Sequence, residues 1–127
     1  MASRKTVLTA QELQIMQIVW QHPTVTVRDV YEELLKRRKI AYTTVMTMMG
    51  ILETKGHLKK TQGEKAHVYR PAQPKNKVVG FMVRDFVNRV FNGSAKPLLV
   101  HLVENERISE DELEEIAGLM RGRKKGA

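Results

Sequence analysis

Residues 41–56 read AYTTVMTMMGILETKG, and the fold of the chain turns on this stretch. Val45, Met48, Met49 and Leu52 fall at i, i+3, i+4 and i+7, the apolar stripe of a helix that packs on a domain. The opposite face carries Thr43, Met46, Thr47, Gly50, Ile51 and Thr54, which are uncharged and mostly small. A face meant for solvent would ordinarily carry Glu and Lys. Here the charge stands on either side instead, in KRRK at 36–39 and in Lys55, Lys59 and Lys60. Short hydroxyls, methyls and a glycine suit close docking against a polyanion, which makes the stretch a candidate DNA-recognition helix. A helix packed on both sides inside a larger core is the alternative reading of the same residues.

Working upstream, the text supplies the helix that a reading helix needs before it. Thr26 and Asp29 form a capping-box pair, Val25 and Val30 a hydrophobic staple, and Val27, Val30, Tyr31 and Leu34 keep helical spacing. The end at 36–39 is cationic, which complements the helix dipole or reaches phosphates. Only a short joint at Ile40 and Ala41 remains before the next helix, the arrangement of a helix-turn-helix. Before it stands another helix, opened by Thr9 with Glu12 and stapled by Leu8 and Leu13, with Leu13, Met16, Val19 and Trp20 on its apolar face. It is expected to stop at His22-Pro23.

Downstream, Gly56 suits a helix C′ position and the period changes to that of strands: HLKKTQ at 57–62, GEK at 63–65, AHVYR at 66–70. Two short strands around a Gly-containing loop directly after a reading helix make the wing of a winged helix. Ala72 to Lys75, with Pro71 and Pro74 about it, reads as a linker. The fold class expected is therefore mainly α with a small β-hairpin wing. Residues 1–73 form a winged helix-turn-helix DNA-binding domain, and residues 74–127 a helical region with a basic tail from Arg121.

Three helices are expected in that last region. Val79, Met82, Val83, Phe86 and Val90 mark the first, Ser94 caps the second with Leu98, Leu99 and Leu102 apolar, and Ser109 with Glu112 boxes the third through Leu113, Ile116 and Met120. A segment this small buries too little surface to stand alone, yet these helices are too apolar to be left in water. A shared core with a second copy answers both constraints, so the apolar residues just named are expected to form a dimerisation surface. A two-fold dimer with two reading helices would bind a palindromic site.

Composition narrows the function classes. The formal net charge of +8 points to acidic partners, nucleic acid or an anionic membrane surface. The excess is uneven: residues 1–73 hold 12 Lys and Arg against 6 Asp and Glu, whereas residues 74–120 hold 6 against 8. The chain has no cysteine, which excludes disulfides and thiolate metal sites. His22, His57, His67 and His101 lack metal-ligand spacing, and no phosphate-cradling glycine motif is present, so neither enzymatic activity nor a cofactor or metal is expected. No apolar run reaches the length of a membrane span and no signal peptide is recognisable, so the expected location is the cytoplasm.

LTAQELQIMQIVW at 8–20, AYTTVMTMMGILETKG at 41–56, AHVYRP at 66–71 and LLVHLVENERISEDELEEI at 98–116, in this order and spacing, resemble the penicillinase-repressor (BlaI/MecI) family of winged-helix transcriptional regulators over nearly the whole chain. The resemblance implies a homodimer held by its C-terminal helices, sitting on a palindromic operator in double-stranded DNA and blocking transcription. It also implies relief by proteolysis inside the dimerisation region, triggered by a membrane sensor-transducer that responds to β-lactams. The corresponding bond lies between His101 and Leu102, where the staphylococcal-type pattern has Asn-Phe. Base reading is expected from Thr43, Thr44 and Thr47 hydroxyls, with Met46 meeting thymine methyls. Tyr42, Lys39, Lys55, Lys59, Lys60 and Lys65 are expected at the DNA backbone. Family members with basic residues where this chain has Thr43, Met46 and Ile51 can grip guanine with arginine, so an operator of different or more A·T-biased half-sites is expected here. The absence of cysteine sets the chain apart from the copper-sensing branch. A ligand-sensing winged helix that shifts as a rigid body, and a winged helix that binds protein or RNA, are the competing classes.

Overall fold

Thr9 and Glu12 close the start of the first helix on each other: Glu12 N donates to Thr9 Oγ1 at 3.1 Å, and Thr9 N donates to Glu12 Oε1 at 2.9 Å. The computed structural model describes residues 7–62 and 67–126. The first helix, α1 (Ala10–Val19), is followed by a two-residue strand, β1 (Val25–Thr26), and by α2 (Val27–Leu35), which opens on the same device between Thr26 and Asp29. Then come α3 (Tyr42–Thr54), the strands β2 (Leu58–Gln62) and β3 (His67–Pro71), and the helices α4 (Lys75–Phe91), α5 (Lys96–Glu104) and α6 (Glu110–Gly126). The strands form an antiparallel sheet in the order β1-β3-β2, with Lys60 opposite Tyr69 and Val25 opposite Tyr69 on its other side. Three helices and this small sheet make a winged helix.

The core explains the order. Ile15, Met16 and Val19 of α1, Val30 and Leu34 of α2, and Val45, Met49 and Leu52 of α3 are all sealed from solvent, with Leu58, Tyr69 and Val25 of the sheet closing the floor. Each such aliphatic side chain contributes roughly 1.5–3 kcal/mol by leaving water. The stripe expected on α3 is thus the packed one, with Met48 partly buried at its edge. Ile15 and Ile18 belong to the core as well, although the expected face of the first helix omitted them.

Boundaries differ where local bonds tighten. α1 ends before Trp20, because Gln21 N and His22 N donate to Ile18 and Val19 carbonyls, three residues back. Likewise Lys36 N and Arg37 N bond to Glu33 and Leu34 carbonyls, so the turn before α3 starts at Lys36 and is longer than an Ile40-Ala41 joint. Gly56, at φ 87°, ends α3 in a Schellman motif: its N–H donates to Glu53 O and that of His57 to Leu52 O. β1 was not expected from the sequence, since two residues show no alternation. Ser94 does not cap α5; the cap is Ala95, with no side-chain bond, and Pro97 pre-sets the first turn instead. The basic tail from Arg121, which the sequence suggests is disordered, is helical through Gly126.

The chain divides into two compact units between Met82 and Val83, inside α4. In the first, Val78 is buried and Met82 packs against the winged-helix core, so the opening turns of α4 belong with that core. In the second, no described residue is buried.

Candidate nucleic-acid interface

α3 is about 20 Å long at 1.5 Å per residue. Its rotation is fixed by Val45, Met49 and Leu52, each with no exposed surface. The opposite side must then face outward, and Thr43, Thr44, Met46, Thr47, Ile51 and Thr54 are all exposed. Met46 is 48% and Ile51 44% exposed, large apolar groups left in water by the folded chain. The sequence thus brings the four expected base readers, Thr43, Thr44, Met46 and Thr47, onto one open face. Thr54, at the far end, turns its hydroxyl inward to Gly50 O at 3.1 Å.

Gly50 sits in this face with open space around it, for a Cβ built there meets no atom within 4 Å. Folding does not need the glycine, which costs a helix interior about 0.5–1 kcal/mol relative to Ala. A surface that approaches the backbone from outside would need it. Gly50→Ala is therefore expected to raise stability by about 0.5–1 kcal/mol in urea denaturation. Operator affinity in a gel-shift titration is expected to fall.

At the start of α3, Tyr42 is held edge-on to Tyr31, with ring centroids 5.4 Å apart and planes at 80°. Lys39 is exposed in the preceding turn, and Lys59 and Lys60 are exposed on β2. Successive strand residues point to opposite faces. Lys60 shares a face with Tyr69 and lies 5.7 Å from its ring centroid, whereas Lys59 stands opposite Arg70 on the other face. Two cations facing each other across a sheet disfavour the free state and favour an anion between them. Arg70 was missed because the strand register that pairs it with Lys59 cannot be read from either strand alone. Lys65 lies outside the described residues.

Lys55 departs from the expected role. Its ammonium is 2.9 Å from both Glu12 carboxylate oxygens, and the pair is largely enclosed, with side chains 23% and 7% exposed. Burial pushes the Glu12 carboxyl up, but the Thr9 N–H, the hydrogen bond from Lys55 and its charge together hold it below the ordinary value of 4.5. Lys55 therefore fastens the end of α3 to the start of α1 and has no free charge to offer a phosphate.

The residues expected at a dimer surface fall in two groups. Met82 turns to the core of the first unit, one helical turn after Val78, and Val79 is half-buried. Val83, Phe86, Val90, Leu99, Ile116 and Met120 are 40% exposed or more, and Leu98, Leu102 and Leu113 are half-buried. Val100, Val103 and Leu119 join them in the open, the last at 70%. Phe86 meets Phe91 edge-on at 5.8 Å, and Phe91 lies 6.0 Å from His101. His101 and Leu102 lie within α5, His101 exposed. Among the described residues no group of three or more His, Asp or Glu could hold a metal ion, and no helix is long and apolar enough to cross a membrane.

The profile of the penicillinase repressor family matches residues 8–121. The penicillinase repressor of Bacillus licheniformis is 28% identical over 105 residues, covering 83% of this chain and 82% of that protein. The transcriptional regulator BlaI of Mycobacterium tuberculosis is 40% identical over 88 residues, covering 68% and 62%. In three dimensions the solution structure of the DNA-binding domain of the repressor BlaI superposes with a TM-score of 0.51 at 26% identity, covering 58% of this chain and 90% of that one. With a profile match that runs from Leu8 in the core to Arg121 in α6, the chain belongs to the penicillinase repressor family of winged-helix, DNA-binding transcriptional repressors.

Proposed function

We propose that the chain represses transcription in the cytoplasm as a homodimer on a palindromic operator, with residues 1–73 reading DNA and residues 74–127 holding two copies together. The observation that carries the reading is the outer face of α3, apolar and hydroxylic where solvent would call for charge, with Lys39, Lys60 and Tyr42 around it. Thr43, Thr44 and Thr47 hydroxyls meet base edges, and Met46 meets thymine methyls. The dimer is supported by the second unit, whose described residues include none that is buried. Relief comes from proteolysis of the His101–Leu102 bond, on a signal from a membrane sensor-transducer. Cutting there separates α4 from α6 and divides the apolar surface, which weakens the dimer and then its hold on DNA.

Base contacts specify while phosphate contacts position. Thr47→Ala is accordingly expected to lower affinity for the chain's operator by about 1 kcal/mol, roughly fivefold, and to leave an unrelated duplex of equal length bound as before. Fluorescence anisotropy on both duplexes checks this, and equal losses would remove Thr47 from the base readers. A dimer that neutralises about 6–10 phosphates also loses roughly 10³–10⁵ in affinity between 50 and 200 mM salt. A flat salt dependence would overturn the DNA reading as a whole.

A further inference from the structure

A groove of about 520 Å³ runs between the start of α2, the start of α3 and the wing. Arg28, Tyr42, Met46, Lys60, His67 and Tyr69 line it, and none of its lining residues among those described is acidic. Tyr42 and Met46 belong at once to this groove and to the outer face of α3, so the two surfaces are continuous. The other flank of α2 has the reverse character. There Asp29, Glu32 and Glu33 line a second groove with Lys36 and His22. The acidic residues of α2 thus line the second groove and none lines the first, which favours a polyanion lying on α3 along the side of Arg28 and Lys60.

We propose that this groove seats the phosphodiester backbone beside the half-site, with Arg28 and His67 as contacts that join Lys60 and Tyr42. The proposal rests on the DNA reading of α3 and adds the path the strand takes. Arg28 is available to serve: among the described residues its ion pair, to Glu32 at 3.4 Å, joins side chains that are 71% and 60% exposed, and such pairs hold little. The Lys60 ammonium is set over the Tyr69 ring on the same wall, and His67 is two residues before Tyr69 and shares its face. The apolar floor suits the sugar edge of the strand and the cationic rim its phosphates. Guanidinium, ammonium and imidazole groups from three separate elements thus converge on one channel.

The test measures affinity against salt for the full chain and for Arg28→Gln, His67→Ala and Lys77→Gln, on the operator and on an unrelated duplex. Arg28 and Lys77 are exposed, so both variants fold; Lys77, on α4, controls for simple loss of charge. One lost phosphate contact lowers the slope of log K on log salt by about 0.9, which is about eightfold in affinity at 0.1 M salt. Arg28→Gln is expected to show that change on both duplexes alike, His67→Ala to weaken both by a common factor, and Lys77→Gln to bind as the parent. Parental binding by Arg28→Gln and His67→Ala, with the steep salt dependence intact, overturns the groove and leaves the DNA reading standing. A loss confined to the operator, or an equal loss in Lys77→Gln, overturns it too. A parent whose binding ignores salt removes both readings.

Discussion

Lys55→Met is expected to destabilise the winged-helix unit by about 3 kcal/mol at pH 7, more than any change on the reading face. The reason is the Glu12 carboxylate left behind. Both of its oxygens lie 2.9 Å from the Lys55 ammonium, and its side chain is only 7% exposed. Removing one partner of an enclosed pair strands the other charge out of water, which costs about 3–5 kcal/mol. The lower end applies because Lys55 itself keeps some contact with solvent. The dependence on pH identifies the cause. In the parent the Glu12 carboxyl is held below 4.5, so its contribution is present above the ordinary carboxylate value and is lost as pH falls through the folded one. In Lys55→Met two of the influences that lower it are gone and only the Thr9 hydrogen bonds still oppose burial, so the variant loses much of what favours the charged carboxylate over the protonated one. The gap between parent and variant in urea denaturation should be widest near neutrality and should narrow below about pH 4.5. Adding Glu12→Gln, which still offers an oxygen to the Thr9 N–H, is expected to restore most of the loss. A gap that does not change with pH would assign the destabilisation to lost packing of the lysine stem.

This pair also marks where the sequence stops being legible. The capping boxes at Thr9, Thr26 and Ser109 form with the partners their spacing names, because both members lie within one turn. The exposed face of α3 could be seen because Val45, Met49 and Leu52 fix the rotation of the helix, so what lies opposite must be open to solvent. The Schellman end at Gly56 followed from a residue that adopts the left-handed backbone there without a Cβ clash. Each of these is a local relation. Glu12 and Lys55, by contrast, are 43 residues apart, and nothing near Lys55 distinguishes it from a lysine waiting for phosphate. Arg28 and Arg70 escaped for the same reason. One becomes part of a groove only when the wing folds beside α2, and the other becomes half of a cationic pair only in the strand register. Ser94 shows the opposite error, a local signal overruled when the turn at Asn92 and Gly93, both at positive φ, directs the Ser94 N–H to Phe91 O.

Phe86→Ala should abolish the dimer at micromolar concentration, with an expected cost of about 4 kcal/mol per dimer. The ring is 40% exposed in the single chain and meets Phe91 edge-on. Val83 and Val90, at i−3 and i+4 on the same helix, are 50% and 51% exposed, so the ring stands in the middle of an uncovered stripe. Covering the remainder of a phenylalanine in an apolar interface is worth about 2 kcal/mol. A two-fold interface counts every substitution twice, and the resulting 4 kcal/mol is roughly a thousandfold in the dimer constant. Sedimentation velocity over a range of concentrations measures this directly. Binding to the operator then has to weaken as well, although no DNA contact has been touched, because two tethered reading heads place the second head at high effective concentration near its half-site. Affinity for an isolated half-site, which one head occupies, should be preserved. That separation is what distinguishes an interface residue from a residue of the fold: a variant that merely unfolded would lose the half-site too. A dimer constant unchanged by Phe86→Ala would move the interface off the face that carries Val83, Phe86 and Val90, and onto α5 and α6, where Leu99, Val103 and Leu119 are the next exposed apolar groups.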